Sequence, residues 1–191
     1  MEKGSNILLK ITLLNHIRKT LWLWIIIGIP IVIIQYTGGI DLSNFRLDKN
    51  SILFYAFLFC IFAILIFPAL FIHIDYFIKN RQEEYEIGNK KIIKRKNGVE
   101  KDYNFEDIDD IFLNLYLYYG WSKQPPWGHY HFVKIVMKSG EELYLTSLLY
   151  PSGLKKVLEK YIKKDYWCNK RWFPTTIYCP PDSAYGEEEK M

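Results

Sequence analysis

Charge is nearly absent from two early stretches of the chain. Leu21–Ile34 carries no charged residue. With Gln35 and Tyr36 it gives roughly 16–18 residues, the short end of a bilayer-spanning helix. Ser51–Ile74 gives roughly 24 residues without a formal charge, enough to span with tilt. The pattern predicts two transmembrane helices, at about 20–36 and 51–76, within a hairpin over 20–78. Trp22, Trp24 and Tyr36 sit at the ends of the first, where amphipathic aromatics favour the headgroup layer. No A-x-A-like cleavage site follows it, and a second apolar run comes almost at once. An uncleaved anchor is therefore expected rather than a signal peptide.

Basic residues set the expected direction. Lys3, Lys10, Arg18 and Lys19 precede the first helix, and Lys79 and Arg81 follow the second. The connection Thr37–Asn50 has only Arg46 and Lys49, offset by Asp41 and Asp48. The positive-inside rule predicts a multi-pass protein of the cell's inner membrane with both termini cytoplasmic. Residues 1–19 are read as a cytoplasmic amphipathic segment. In it Leu9, Leu13, Leu14 and Ile17 form an apolar stripe over Asn6–Ile17 suited to the membrane interface. His73 and Asp75, at the end of the second helix, are expected to reach water there.

From Glu84 the period shifts to that of strands, with turn signals at regular spacing. Glu84–Ile87 leads to Gly88-Asn89, Lys90–Lys96 to Asn97-Gly98, and Val99–Tyr103 follows. Asn97-Gly98 is the strongest hairpin signal, because a type I′ turn needs positive φ at both central residues. Asn104 is placed to cap a short helical turn, Phe105–Asp110. Asp107, Asp109 and Asp110 are explained by capping and solvation of that turn. Ile111–Tyr119 is a strand with Leu113, Leu115 and Leu117 facing the core, and Tyr130–Lys138 pairs with Glu141–Thr146 across Ser139-Gly140. An amphipathic helix closes the domain, with Ser152 as N-cap and Leu154, Val157, Leu158 and Tyr161 buried. The fold class is thus a membrane α-helical hairpin plus an α+β cytoplasmic domain over 79–165. Residues 166–191 form an aromatic and acidic tail whose last acidic residues are expected to be mobile.

This order of elements resembles the bacterial pleckstrin-homology-like (PH-like) domains found behind paired transmembrane helices. The resemblance covers Glu84–Lys164. It rests on Tyr85-Glu86-Ile87, Lys91-Ile92-Ile93, Phe105-Glu106-Asp107-Ile108 ahead of a long strand, Val133–Met137 with Ser139-Gly140, and Leu143–Leu145. It implies an antiparallel meander or partly open barrel of six to seven strands closed by a C-terminal helix. Six strands are legible, and the Trp121–Trp127 loop is where a seventh is expected.

Composition narrows the chemistry. A net charge of +4 is too small to imply a nucleic-acid partner without a patch. Cys60 lies in an apolar run, and Cys168 and Cys179 have no partner at ligand spacing, so no metal and no cofactor is expected. His129 and His131 flank Tyr130, but two histidines alone make a poor metal site. No nucleophile–base, metal or phosphate-loop motif is present, and the chain is read as a non-enzyme. Two surfaces remain as candidate sites. Lys90, Lys91, Lys94, Arg95 and Lys96 form the densest basic cluster, a candidate for anionic lipid headgroups, although strand alternation divides it between two faces. Trp121, Pro125, Pro126 and Trp127 form an aromatic-proline loop suited to a protein contact or to dipping into the membrane. The expected function is a membrane-anchored binding or scaffold module that contacts a membrane or cytoplasmic protein partner or the inner leaflet. The alternative is a small accessory or immunity-type membrane protein whose helices carry the function. The oligomeric state is not legible.

Overall fold

A computed structural model describes residues 6–36, 49–88, 90–118, 124–177 and 188–190. Strand β1 (Ile7–Lys10) comes first, then helices α1 (Leu13–Tyr36) and α2 (Lys49–Asn80). Strands β2 (Glu83–Ile87), β3 (Lys91–Lys96) and β4 (Val99–Asn104) follow, then a 3-10 turn (Phe105–Asp107) and β5 (Ile108–Tyr116). Next come β6 (Phe132–Met137), β7 (Glu142–Thr146), α3 (Leu154–Val157), β8 (Trp167–Arg171) and β9 (Glu188–Lys190). Among the described residues the strands form two sheets, β1-β2-β3-β4 and β7-β6-β5-β8-β9.

The expected meander is present, and its turn chemistry is the expected one. Asn97 and Gly98 have φ of 52° and 79°, so the β3–β4 hairpin closes through two left-handed residues. Alternation then sorts the side chains. Glu83, Tyr85 and Ile87 of β2 and Ile92 of β3 turn inward, and Ile111, Leu113 and Leu115 of β5 meet Val133, Ile135, Leu143 and Leu145. Helix α3 covers this core with Leu154 and Val157. It then widens into a π-helical turn, Leu158–Ile162. The wider turn places Ile162 in the core and leaves Tyr161 only partly buried, a shift that the expected 3.6-residue period did not contain. The residue ahead of the helix is Gly153, not Ser152, and its φ is 108°.

A seventh strand of the meander is β1; the Trp121–Trp127 loop, where it was expected, lies partly outside the described residues. Ile7 pairs with Ile87 and Lys10 with Glu84, antiparallel. The N-terminal segment is therefore not an interfacial helix: Leu9 is fully buried in the sheet core, and helix begins only at Leu13. The two-helix hairpin is consequently an insertion between two hydrogen-bonded strands. The domain begins ahead of the hairpin as well as behind it.

Helix α2 does not stop where the expected span ends. Its 32 residues run about 48 Å at 1.5 Å per residue. Ile72 and Tyr76 pack on the outer face of the second sheet against Tyr130, Phe132, Tyr144 and Leu148. Burying side chains such as Ile72 and Phe132 contributes about 1.5–3 kcal/mol each, which favours a docked domain over a loosely tethered one. By length and composition, Ala63–Asn80 qualifies as a membrane span among the described residues, yet one of its faces is covered by the domain. The tail also departs from expectation. β8 adds to the second sheet parallel to β5, and Glu188–Lys190 pairs antiparallel with β8.

Candidate functional site

A cleft of about 420 Å³ opens where the helix, both sheets and the tail meet. Asp75, Ile78 and Lys79 line it from α2, Glu83 and Tyr85 from β2, and Lys94 and Lys96 from β3. Glu142 and Tyr144 of β7 and Thr176 and Ile177 of the tail complete the wall.

Glu83 organises this cleft. It follows α2 after only Arg81 and Gln82, with Gln82 at a φ of 64°, so the chain reverses tightly and delivers the carboxylate inward. Lys94 and Lys96 both reach Glu83 Oε1 at 2.9 Å. The Tyr85 hydroxyl donates to Oε2 at 2.7 Å, and the Asn80 amide donates to the same oxygen at 3.2 Å. Burial pushes the Glu83 carboxyl up, but hydrogen bonds from Tyr85, Lys94 and Lys96 outweigh it and hold it below the ordinary carboxylate value. Burial and the Glu83 charge push the Tyr85 phenol well up, so it remains a donor. Lys79 lies with its ammonium 3.7 Å above the Tyr144 ring centroid. The Glu142 carboxylate accepts from Tyr144 at 2.7 Å and pairs with Lys134. Three lysines therefore face three carboxylates across the cleft. A bare anion would have to displace Glu83 from two ammonium groups, whereas a ligand carrying both charges would not.

The expected basic cluster is divided and largely neutralised. Lys91 pairs with Asp102, and Arg95 with Glu86 and Glu100, on one face of β3. Lys94 and Lys96 turn to the other face and into the cleft. Lys90 lies exposed just before β3, and its carbonyl accepts from the Phe105 amide. The five residues do not converge on one point.

The aromatic loop is used by the chain itself. Trp127 packs against the buried pair Ile66 and Ala69 of α2, and its ring centroid is 5.9 Å from that of Phe173. Pro125 and Pro126 are half-buried beside it, and the Pro125 carbonyl accepts from the Gly128 amide. Trp121 lies outside the described residues.

The polar groups at the end of α2 do not reach water as expected. His73 and Asp75 are buried by the domain. His73 Nε2 is 2.9 Å from His16 Nδ1 of α1, and His73 Nδ1 is 2.9 Å from the Tyr130 hydroxyl. Asp75 accepts from the Thr176 amide at 2.6 Å and from its hydroxyl at 2.7 Å. The Tyr76 hydroxyl donates to the Pro174 carbonyl at 2.6 Å. His131 is a core group: Nε2 accepts from the Leu154 amide at 3.3 Å, which leaves Nδ1 protonated toward the His129 carbonyl at 3.2 Å. Among the described residues no His, Cys, Asp and Glu side chains gather as a metal cluster.

Asn80, Glu83 and Tyr144 do not stand out in the sequence, and Asp75 shows there only as a polar residue expected to reach water. Their importance comes from the sheet docking on α2, a long-range contact. The local sign was two adjacent glutamates, Glu83 and Glu84, directly behind a very long helix.

Two β-sheets around one core, with a helix closing the end and a mixed-charge cleft beside α2, define a β-rich domain. A family model described as PH domain matches residues 10–156, and the chain belongs to that family. The match runs from the end of β1 into α3 and so includes the hairpin. No curated protein and no solved structure matches the chain.

Proposed function

We propose that the protein is a non-enzymatic binding module anchored in the inner membrane, whose PH domain takes a protein partner in the cleft beside α2. The insertion of the hairpin between paired strands β1 and β2 carries this reading, because it joins anchor and domain without a linker. Both termini lie on the cytoplasmic side. The balanced charge of the cleft favours a partner segment bearing acidic and basic side chains over a bare phosphate. The exposed residues Ile78 and Ile177 at its edge give such a segment apolar contact.

A second reading is favoured by one observation. Ile64, Phe67, Phe71 and Ile74 form an exposed apolar stripe on α2, on a face that the domain leaves uncovered. A helix of another membrane protein could pack there, and the helices would then carry the function.

Photocrosslinkers at Ile177 and, separately, at Ile64 in native membranes distinguish the two. The module reading expects a specific protein adduct from Ile177. Adducts from Ile64 alone would replace it with the helix reading.

A further inference from the structure

Leu8 and Val99 stand exposed singly on the first sheet, whereas four exposed apolar residues outside the hairpin belong to the tail and the end of β5. Trp172, Phe173 and Ile177 in the tail and Tyr118 after β5 are exposed, Trp172 by 62%. Three of these sit at one end of the second sheet. β5 ends at Tyr116 and the parallel β8 at Arg171, while the antiparallel β6 begins at Phe132. Tyr118, Trp172 and Phe173 therefore emerge together, beside the Trp127 loop. Their rings are in contact: Trp172 lies 5.8 Å from Tyr118 and 6.0 Å from Tyr116, and Phe173 lies 5.9 Å from Trp127.

The height of this group along the hairpin can be counted. A spanning helix uses about 20 residues. Counted from Lys49, the start of α2, a span of about that length ends near Pro68. Counted back from Tyr36, the end of α1, it ends near Ile17. The two counts agree to within about one helical turn, because His16, next to Ile17, touches His73, which lies a little over a turn beyond Pro68. Trp127 packs on Ile66 and Ala69, at the counted boundary. Lys19 sits at the same level, its ammonium donating to the His129 carbonyl at 2.7 Å. Aromatic rings and a basic residue at that depth match the chemistry of the headgroup layer.

We propose that Trp172 and Phe173, with Trp127 and Tyr118, form an aromatic collar that seats the domain in the headgroup layer of the cytoplasmic leaflet. The occupant of this surface is lipid, continuous with the lipid around the hairpin, and the proposal rests on the membrane-anchored reading above. The tail then has two jobs. Pro174 and Thr176 bind α2, and Trp172 and Phe173 enter the interface.

The test is depth measurement by spin label on the full chain in phosphatidylethanolamine–phosphatidylglycerol vesicles. Cys60, Cys168 and Cys179 are replaced by alanine, and one label is placed by Trp172→Cys, Ser139→Cys or Phe59→Cys. Ser139 is exposed at the opposite end of the second sheet, and Phe59 is exposed on the hairpin. Oxygen collisions should exceed those of a water-soluble nickel chelate at 172 and at 59, with the reverse at 139. If 172 behaves like 139 while 59 is lipidic, the collar is wrong and the anchor stands. If 59 is aqueous as well, the anchor fails with it. A label at 172 shielded from both reagents would mean that protein covers the site, and would also overturn the collar. In the chain with its native cysteines, Trp172→Phe should remove a fluorescence component quenched by lipid brominated near the glycerol end and spared by iodide. An unchanged quenching profile would count against the proposal without depending on the cysteine replacements.

Discussion

Asn80 and Thr146 are joined as though Asn80 were a residue of the neighbouring strand. The Thr146 amide donates to Asn80 Oδ1 at 3.1 Å, and Asn80 Nδ2 donates back to the Tyr144 carbonyl at 2.7 Å. β7 is the edge of its sheet, with open backbone groups on that side. The last residue of α2 closes part of that edge. Asn80→Ala would strand two buried backbone groups, at about 2–4 kcal/mol in total. The thermal midpoint in detergent should fall by roughly 5–10 °C, and a fall of under about a degree would show that the pairing contributes little.

Glu83→Gln removes the counter-charge from Lys94 and Lys96 and should cost about 1–3 kcal/mol at neutral pH. The sign of its pH dependence follows from linkage. The folded-state value lies below the ordinary 4.5, so the stabilisation is complete above that pH and is lost as pH falls through the depressed value. Denaturant midpoints of wild type and variant should differ by a constant amount from pH 6 to 8 and converge in acid. Parallel curves down to the acid limit would contradict the role assigned to Glu83.

His131 acts in the same direction over a different window. Burial, with a smaller contribution from Lys19, holds its imidazole down to about 3, against 6.5 when unfolded. The unfolded chain takes up the proton first, so stability is full above pH 6.5 and declines as pH falls toward 3. The slope reaches at most about 1.4 kcal/mol per pH unit. His131→Gln should lower stability at pH 7.5 yet flatten the curve between pH 6.5 and 3. Equal slopes would show that His131 is not held neutral.

Asp75→Ala should release the tail. Its two bonds to Thr176 would be lost, and amide exchange over 172–177 should accelerate markedly in hydrogen–deuterium measurements. Exchange in β5 and β6 should change little. If the tail keeps its protection, the aromatic contacts of Trp172 and Phe173 hold it instead.

Much of this architecture was legible in the sequence because it is local. The two apolar runs, the Asn97-Gly98 turn and the alternation of β5, β6 and β7 each announce themselves within about ten residues. β1 did not, because Ile7–Lys10 is too short to show a period. Its partner Glu83–Ile87 lies beyond both helices. Leu9 and Leu13 fit a helical stripe equally well, and only the pairing with Tyr85 decides Leu9's role. β8 was hidden for a similar reason, since parallel addition to β5 carries no turn signal. The candidate site was the least legible part. The lysines of β3 could be seen, but the glutamate that absorbs two of them could not be assigned to them without the register Tyr85↔Lys94.

The placement of the hairpin between β1 and β2 has a consequence for biosynthesis. β1 leaves the ribosome first and has no partner until β2 is made. In a bilayer, β2 arrives on the same side as β1 if both helices cross or neither does, and on the opposite side if only one does. A chain with one helix inserted would leave the two halves of the sheet on opposite faces of the membrane, with Leu9 and Tyr85 unable to meet. On the membrane-anchored reading, completion of the sheet would act as a proofreading step, because β1 and β2 pair only when the hairpin returns the chain to the side it started from.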